Sequence, residues 1–200
     1  MIRLTTSMLA LLAATVAWSG TAAETTRTAV FAGGCFWCVE EVFDKVDGVV
    51  ETTAGYSGGH VPDPTYEQVL EGDTGHHEVV RVTYDPDVVG YEGLLDAFWV
   101  NVDPFDAGGQ FCDRGTPYLS AIFVGNEEER RLAEESRRQV ADRFDQEIAT
   151  KILPAEEFYV AEEYHQDYYN KNPFRYHFYK WSCGRERRLD EIWGDERDFG

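Results

Sequence analysis

A pair of glycines, Gly33-Gly34, separates two stretches whose side-chain periods cannot belong to one element. Before it, Thr28-Ala29-Val30-Phe31-Ala32 is short, apolar and β-prone. After it, Val39, Val42, Phe43 and Val46 recur at helical spacing. Strand, glycine turn and helix in that order put Cys35 at a helix N-terminus, with Cys38 one turn in. The unpaired N–H groups and the positive end of the macrodipole favour an anion there. The Cys35 thiol is therefore expected to titrate below the ordinary cysteine value and to act as a nucleophile. Core packing beside Phe36 and Trp37 could account for two cysteines. It does not require two glycines ahead of the thiol.

With 200 residues, 43% of them hydrophobic, the chain suits one domain with a sizeable core. Its formal charge of −19 argues against a nucleic-acid or anionic-membrane surface and for a soluble monomer with solvated acidic faces. The first 23 residues read as a signal peptide: Arg3 is the positive region, Met8 to Trp18 the apolar run, Thr21-Ala22-Ala23 the cleavage site. That run is too short to span a bilayer. Its removal takes Met1 and Met8, leaving residues 24–200 without methionine, in a periplasmic or secreted setting.

Export means an oxidising compartment, where four cysteines could form two structural disulfides. A domain of this size does not need them, and Cys35-x-x-Cys38 has the spacing of a reactive pair. Zinc is disfavoured, because Cys112 and Cys183 stand alone and His76-His77 is adjacent rather than ligand-spaced. Haem attachment needs histidine where Val39 stands. No metal and no cofactor is expected.

The rest of the chain alternates strands and helices. A helix over Cys35–Val46 stops at Gly48, and Val49 to Tyr56 reads as a strand. Ser57 to Pro64 forms a glycine- and proline-rich loop. A short helix around Tyr66–Leu70, a half-buried strand over His76–Tyr84 and an apolar helix over 91–100 follow. A second glycine-rich loop, Ala107 to Pro117, leads to a strand at Leu119–Val124. Asn126 caps a long helix, Glu127–Phe144, with Leu132, Val140 and Phe144 as its buried stripe. A strand over Glu147–Leu153 and a tyrosine-rich helix around Ala161–Tyr169 complete the core. The last thirty residues form an aromatic tail with Cys183-Gly184 and a short helix ending in Trp193. The fold class predicted is α+β, a mixed sheet of about five strands with helices against it.

Three loops add chemistry to the dithiol. The first offers Tyr56 and Tyr66, the second Glu78, the third Asp113 and Tyr118. Tyrosine hydroxyls donate hydrogen bonds from apolar rings, and a carboxyl among aromatics can hold its proton at neutral pH. A thiolate facing a proton donor and an aromatic wall is equipped to attack a polar oxide whose oxygen must leave.

Six motifs now converge: Gly34-Cys35-Phe36-Trp37, Gly55-Tyr56-Ser57-Gly58-Gly59, Pro64-Thr65-Tyr66, Gly72 to Glu78, Asp113 to Tyr118, and Ala161 to Gln166. In this order, over about residues 28–173, they resemble the A-type peptide methionine sulfoxide reductases. The resemblance implies a two-layer α/β sandwich around a ferredoxin-like core. It also implies reduction of the S-epimer of methionine sulfoxide, free or in proteins, with a thioredoxin-like donor and no cofactor. Cys35 would attack the sulfoxide sulfur, and Phe36 and Trp37 would hold the substrate methyl. Glu78 would protonate the oxygen with help from Tyr66 and Tyr118, and Asp113 would hold the surrounding hydrogen bonds. Cys35 would be left as a sulfenic acid that a second thiol condenses to a disulfide.

Which thiol does so stays open. Cys38 shares a helix face with Cys35, with Cβ atoms about 5–6 Å apart. Cys183 sits in a tail that could fold over the site, and Cys112 lies next to Asp113. Position 38 is often glycine in the family, and the match weakens beyond Pro173. The alternative is a thioredoxin-type thiol–disulfide oxidoreductase, which also sets Cys-x-x-Cys at a helix start but has no call for Glu78 and paired tyrosines.

Overall fold

In the computed structural model, which describes residues 25–194, the strand before the glycine pair is β1, Arg27–Ala32. Helix α1 covers Phe36–Phe43, followed by β2 (Val49–Ser57), α2 (Tyr66–Glu71), β3 (His77–Tyr84) and α3 (Tyr91–Trp99). A small hairpin, β4 (Gly109–Gln110) with β5 (Asp113–Arg114), precedes β6 (Ala121–Val124) and the long helix α4 (Glu127–Phe144). Two short strands, β7 (Lys151–Pro154) and β8 (Tyr159–Val160), lead to α5 (Tyr168–Lys171), α6 (Pro173–Ser182) and α7 (Arg185–Trp193). The expected signal segment and its cleavage site lie outside the described residues.

The main sheet has the order β7-β6-β1-β3-β2-β8, antiparallel except for the parallel β6–β7 pair. Period-two alternation sorts its faces. On β3, Val80, Val82 and Tyr84 enter the main core, while Val79 joins a small cluster with Ala32, Ala121 and Phe123 on the opposite face. Helices α1, α3 and α4 bury residues in the main core, which gives two layers. Its centre is Phe31, fully buried and stacked on Phe43 at 4.8 Å and Phe98 at 5.4 Å. Truncating such a side chain to alanine costs about 3–5 kcal/mol.

The α+β class is as expected, but the sheet has six strands rather than about five. The addition is β8, paired with β2 through Gly55–Val160 and Tyr56–Tyr159. The expected helix over Ala161–Tyr169 is replaced by a 3-10 turn at Glu163–His165, a left-handed Asp167 (φ 52°) and then α5. The cause is Gln166, whose amide bonds to both the N–H and the carbonyl of Ala54 and to the carbonyl of Ala161. Helical geometry could not keep that backbone alongside β2. Strand β7 begins four residues later than expected, because Ala149 and Thr150 donate their N–H groups to the Pro104 carbonyl. The tail is two packed helices, with Tyr176, Arg185, Leu189 and Trp193 buried. The Trp193 indole donates to the Val102 carbonyl at 3.0 Å, and Arg188 pairs with Asp103 at 2.7 Å.

One buried acid makes this packing pH-sensitive. Glu40 on α1 is 1% exposed, and its Oε2 has no partner among the described residues. Burial lifts its pKa to about 7, opposed by hydrogen bonds from the backbone of Asp167 and Tyr168. A carboxyl raised in the folded state contributes stability that is present at and below its ordinary pKa and is lost as pH rises through about 7. Glu40→Gln removes the ionisation. The melting temperature of the variant minus that of the parent should therefore rise by a few degrees between about pH 5 and pH 8. A difference independent of pH in calorimetric scans would refute this account.

Candidate active site

The glycine turn delivers Cys35 to the N-cap of α1, directly before its first residue, Phe36. Gly34 has φ +85°, and a Cβ there would lie 2.6 Å from Gln110 Cβ. Gln110 is held by paired bonds to the backbone of Asp103, both 2.8 Å, so the turn packs against a fixed side chain. The Cys35 carbonyl accepts from Cys38 N–H at 3.0 Å, placing the two thiols on one helical turn. Both are free, with Cys35 6% and Cys38 2% exposed.

Glu78 enters from the neighbouring strand. On β3 it pairs with Tyr56 of β2, and its Oε2 accepts the Phe36 N–H at 3.0 Å. The acid thus takes the first open donor of the helix beside Cys35. Burial pushes its pKa up to about 8, against the Phe36 hydrogen bond; Asp113 and Cys38 push it further up. At neutral pH it holds its proton.

The thiols behave differently from expectation. Cys35 is raised well above the ordinary cysteine value, first by burial, then by its hydrogen bond to Cys38 and by the carboxyls of Glu78 and Asp113. The N-terminal field of α1 is spent on Glu78, and it does not overcome burial. Cys38 is the thiol pulled down, to about 7. Its acceptance of a hydrogen bond from Cys35 contributes most; burial opposes this, and Arg185, Tyr176 and Lys180 assist.

Around this pair stands an aromatic cage. Phe36 packs on His165 at 4.8 Å and on Tyr56, Tyr66 and Trp37 at 6.0–6.5 Å. The Trp37 ring lies flat on Tyr168 at 3.7 Å and meets the edge of Tyr179 at 6.0 Å. Its indole N–H donates to His165 Nδ1 at 3.1 Å, which fixes the neutral tautomer with hydrogen on Nε2. Burial brings His165 down to about 4, so the cage carries no cation at neutral pH. Tyr66 and Tyr118 share a hydrogen bond, and both hydroxyls are held protonated by burial and by the nearby Glu78. Glu162 accepts from the Tyr56 hydroxyl at 2.8 Å and from Tyr66 N–H at 2.9 Å. Asp113 accepts from the Tyr179 hydroxyl and is raised by burial.

Cys35, Phe36, Trp37, Glu78, Tyr66, Tyr118 and Asp113 are therefore gathered in one place. His165, Tyr168, Tyr176, Tyr179 and Arg185 were not singled out from the sequence. His165 stood inside a recognised motif, whereas the tail residues had only aromatic spacing to mark them. Cys112 and Cys183 form a disulfide, Cα–Cα 5.0 Å, tying the turn between β4 and β5 to the end of α6. The tail that carries Cys183 is two helices anchored in the core, and its sulfur is bonded to Cys112. Cys112, Asp113 and Cys183 have ligand atoms within 4.8 Å of one another, but bonded sulfurs offer no thiolate to a metal.

The family profile described as peptide methionine sulfoxide reductase matches residues 27–197. The chain belongs to that family. The Bacillus licheniformis peptide methionine sulfoxide reductase MsrA is 50% identical over 178 residues, 88% of this chain and 98% of that protein. Reduced Mxr1 from Saccharomyces cerevisiae superposes with TM-score 0.71 at 34% identity, covering 74% of this chain and 86% of that one. Mxr1 in complex with Trx2 matches with TM-score 0.51 at 26% identity, over 72% and 84%. This reductase carries out thiol-dependent reduction of methionine S-sulfoxide, and the thioredoxin-type alternative falls with that result.

Glutamine at position 78 can still accept the Phe36 N–H but has no proton to give. Glu78→Gln should slow single-turnover methionine formation by at least about a hundredfold, with substrate binding nearly unchanged. The parent's loss of rate as pH rises through about 8 should be absent in the variant. A fall of only a few-fold would move the acid role to Asp113.

Proposed function

We propose that Cys35 attacks the sulfoxide sulfur while Glu78 protonates the departing oxygen. The observation that carries this is the buried Glu78 carboxyl, which accepts the Phe36 N–H at the helix start beside the Cys35 thiol and whose pKa burial raises to about 8. A sulfoxide oxygen leaves poorly unless it is protonated. The S–O bond breaks as the oxygen transfers to Cys35 sulfur, giving methionine and a Cys35 sulfenic acid. Tyr66 and Tyr118 donate to the oxygen, the uncharged face of Phe36 and Trp37 takes the methyl, and Asp113 with Tyr179 borders the site. Substrates are methionine sulfoxide free or in oxidised proteins.

Recycling begins at Cys38, whose sulfur is already in hydrogen-bond contact with Cys35. Cys183 and Cys112 then act as a second pair. Their bond is nearer the surface, with Cys112 exposed, whereas Cys35 and Cys38 are too buried for a protein donor to reach directly. Exchange would reduce Cys35–Cys38 and oxidise Cys112–Cys183, and a thioredoxin-like dithiol would reduce the latter. The Mxr1–Trx2 complex supports a donor of that class. The enzyme acts as a monomer in the periplasm or outside the cell after losing residues 1–23; the charge of the chain and the leader pattern support this.

Cys35→Ser should abolish methionine formation from a sulfoxide substrate with dithiothreitol, since a hydroxyl is not deprotonated at neutral pH. The parent should turn over the sulfoxide and leave insulin disulfides intact; more than trace single-turnover activity in Cys35→Ser would sink the assignment. Mass spectrometry of the exported form should find no methionine, and an N-terminus still carrying Met1 would contradict the processing.

A further inference from the structure

Far apart in the sequence, Cys112 and Cys183 are joined beside Asp113. A carboxylate oxygen flanks each sulfur: Asp113 Oδ1 lies 3.8 Å from Cys112 Sγ, and Oδ2 lies 4.0 Å from Cys183 Sγ. Around a tetrahedral zinc ion, with bonds of about 2.3 Å to sulfur and 2.0 Å to oxygen, sulfur and oxygen ligands stand about 3.5 Å apart. Asp113 is thus near ligand spacing before any ion arrives. The Cys112 N–H donates to Cys183 Sγ at 3.2 Å, a bond that also steadies a thiolate. Tyr179 donates its hydroxyl to Asp113 Oδ2, which leaves Oδ1 to face an ion and orients the carboxyl from behind. Cys112 is exposed, so a hydrated ion has a way in. The frame does not depend on the S–S bond. Cys183 N–H is held by the Tyr179 carbonyl at 2.9 Å, and the β4–β5 hairpin is anchored through Gln110 to the backbone of Asp103. Reduction therefore frees two thiols that still face each other across Asp113.

We propose that the reduced Cys112–Cys183 pair and Asp113 bind a thiophilic divalent cation, zinc or cadmium, with water in the fourth position. Two thiolates disfavour calcium and magnesium, which take oxygen ligands. Binding sends the two thiol protons to solvent, forms two metal–sulfur bonds and one metal–oxygen bond, and moves no electrons. A chain with a formal charge of −19 attracts such an ion. The consequence for recycling rests on the reading that this pair takes over the Cys35–Cys38 disulfide. Sulfurs held by the ion are not free to attack that disulfide. The metal therefore stops the transfer of oxidation to the outer pair and leaves the sulfoxide step at Cys35 running.

The test has two arms. In the first, the full chain carries Cys35→Ser and Cys38→Ser, so that Cys112 and Cys183 are its cysteines. It is reduced with a phosphine, freed of it and titrated with cadmium, the sulfur-to-metal charge-transfer absorption being read. One ion per reduced chain is expected, with release of about two protons, and none in the disulfide form. Adding Asp113→Asn should weaken zinc, measured by competition with a chromophoric chelator, by about tenfold or more. Unchanged affinity, or no binding by the reduced chain, overturns the site. If Asp113→Asn does not fold, X-ray absorption of the zinc-loaded double variant decides: two sulfurs with oxygen neighbours support the site, and any other sulfur count overturns it. In the second arm, fully reduced parent receives excess methionine sulfoxide and no reductant. Four thiols at two per turnover give two methionines per chain, and one equivalent of zinc should cut this to one, with chelator restoring the second. Two methionines with zinc bound overturn the block on recycling, and none would place the ion on Cys35 and overturn the site. One methionine from the metal-free parent instead refutes the passage of the disulfide to the outer pair, while the first arm still decides the metal site.

Discussion

One hydrogen bond, from the Phe36 N–H to the Glu78 carboxyl, ties the start of α1 to the middle of the sheet. It decides which group enjoys the electrostatic benefit of the helix terminus. A helix start offers few open donors, and the strand register that sets Glu78 opposite Tyr56 delivers an acid to one of them. The bond itself favours the carboxylate, yet complete burial outweighs it, and the carboxyl stays protonated at neutral pH. Cys35, next in line, is left with burial and two neighbouring acids. Its thiol is therefore held in reserve rather than permanently ionised.

The same balance of burial against charge runs through the cage. His165 is neutral because it is enclosed, and being neutral it can accept from the Trp37 indole while presenting its ring to Phe36 and Tyr66. Tyr168, lying flat on Trp37, closes the other side of that ring. An indole so fixed loses little freedom when an apolar group settles against it. The cations that act on the second cysteine, Lys180 and Arg185, come from α6 and α7.

Much of this was legible from side-chain pattern. The strand–turn–helix around Gly33-Gly34, the helix Glu127–Phe144 with its Asn126 cap and the gathering of Glu78, Tyr66, Tyr118 and Asp113 all rest on local rules or on motifs in order. Three things were not legible. The Ala161–Tyr169 segment has helical composition, but Gln166 trades helix bonds for bonds to Ala54, a partner more than a hundred residues away. The tail reads as polar and aromatic, and only the fold shows that Leu189, Trp193 and Arg185 point into the core. The thiol order was misjudged because a helix-terminus argument counts the dipole and cannot count burial.

The ends of the main sheet bear on how such a protein survives its work. A reductase of methionine sulfoxide in peptides meets chains that damage has partly opened, and open chains seek strand edges to pair with. One margin here is β8, only two residues long. The other is β7, four residues that begin with a lysine and close on Pro154, a residue with no N–H to offer. Neither margin gives a stray strand enough length to register. The molecule can hold damaged polypeptides near its surface without becoming a template for their aggregation.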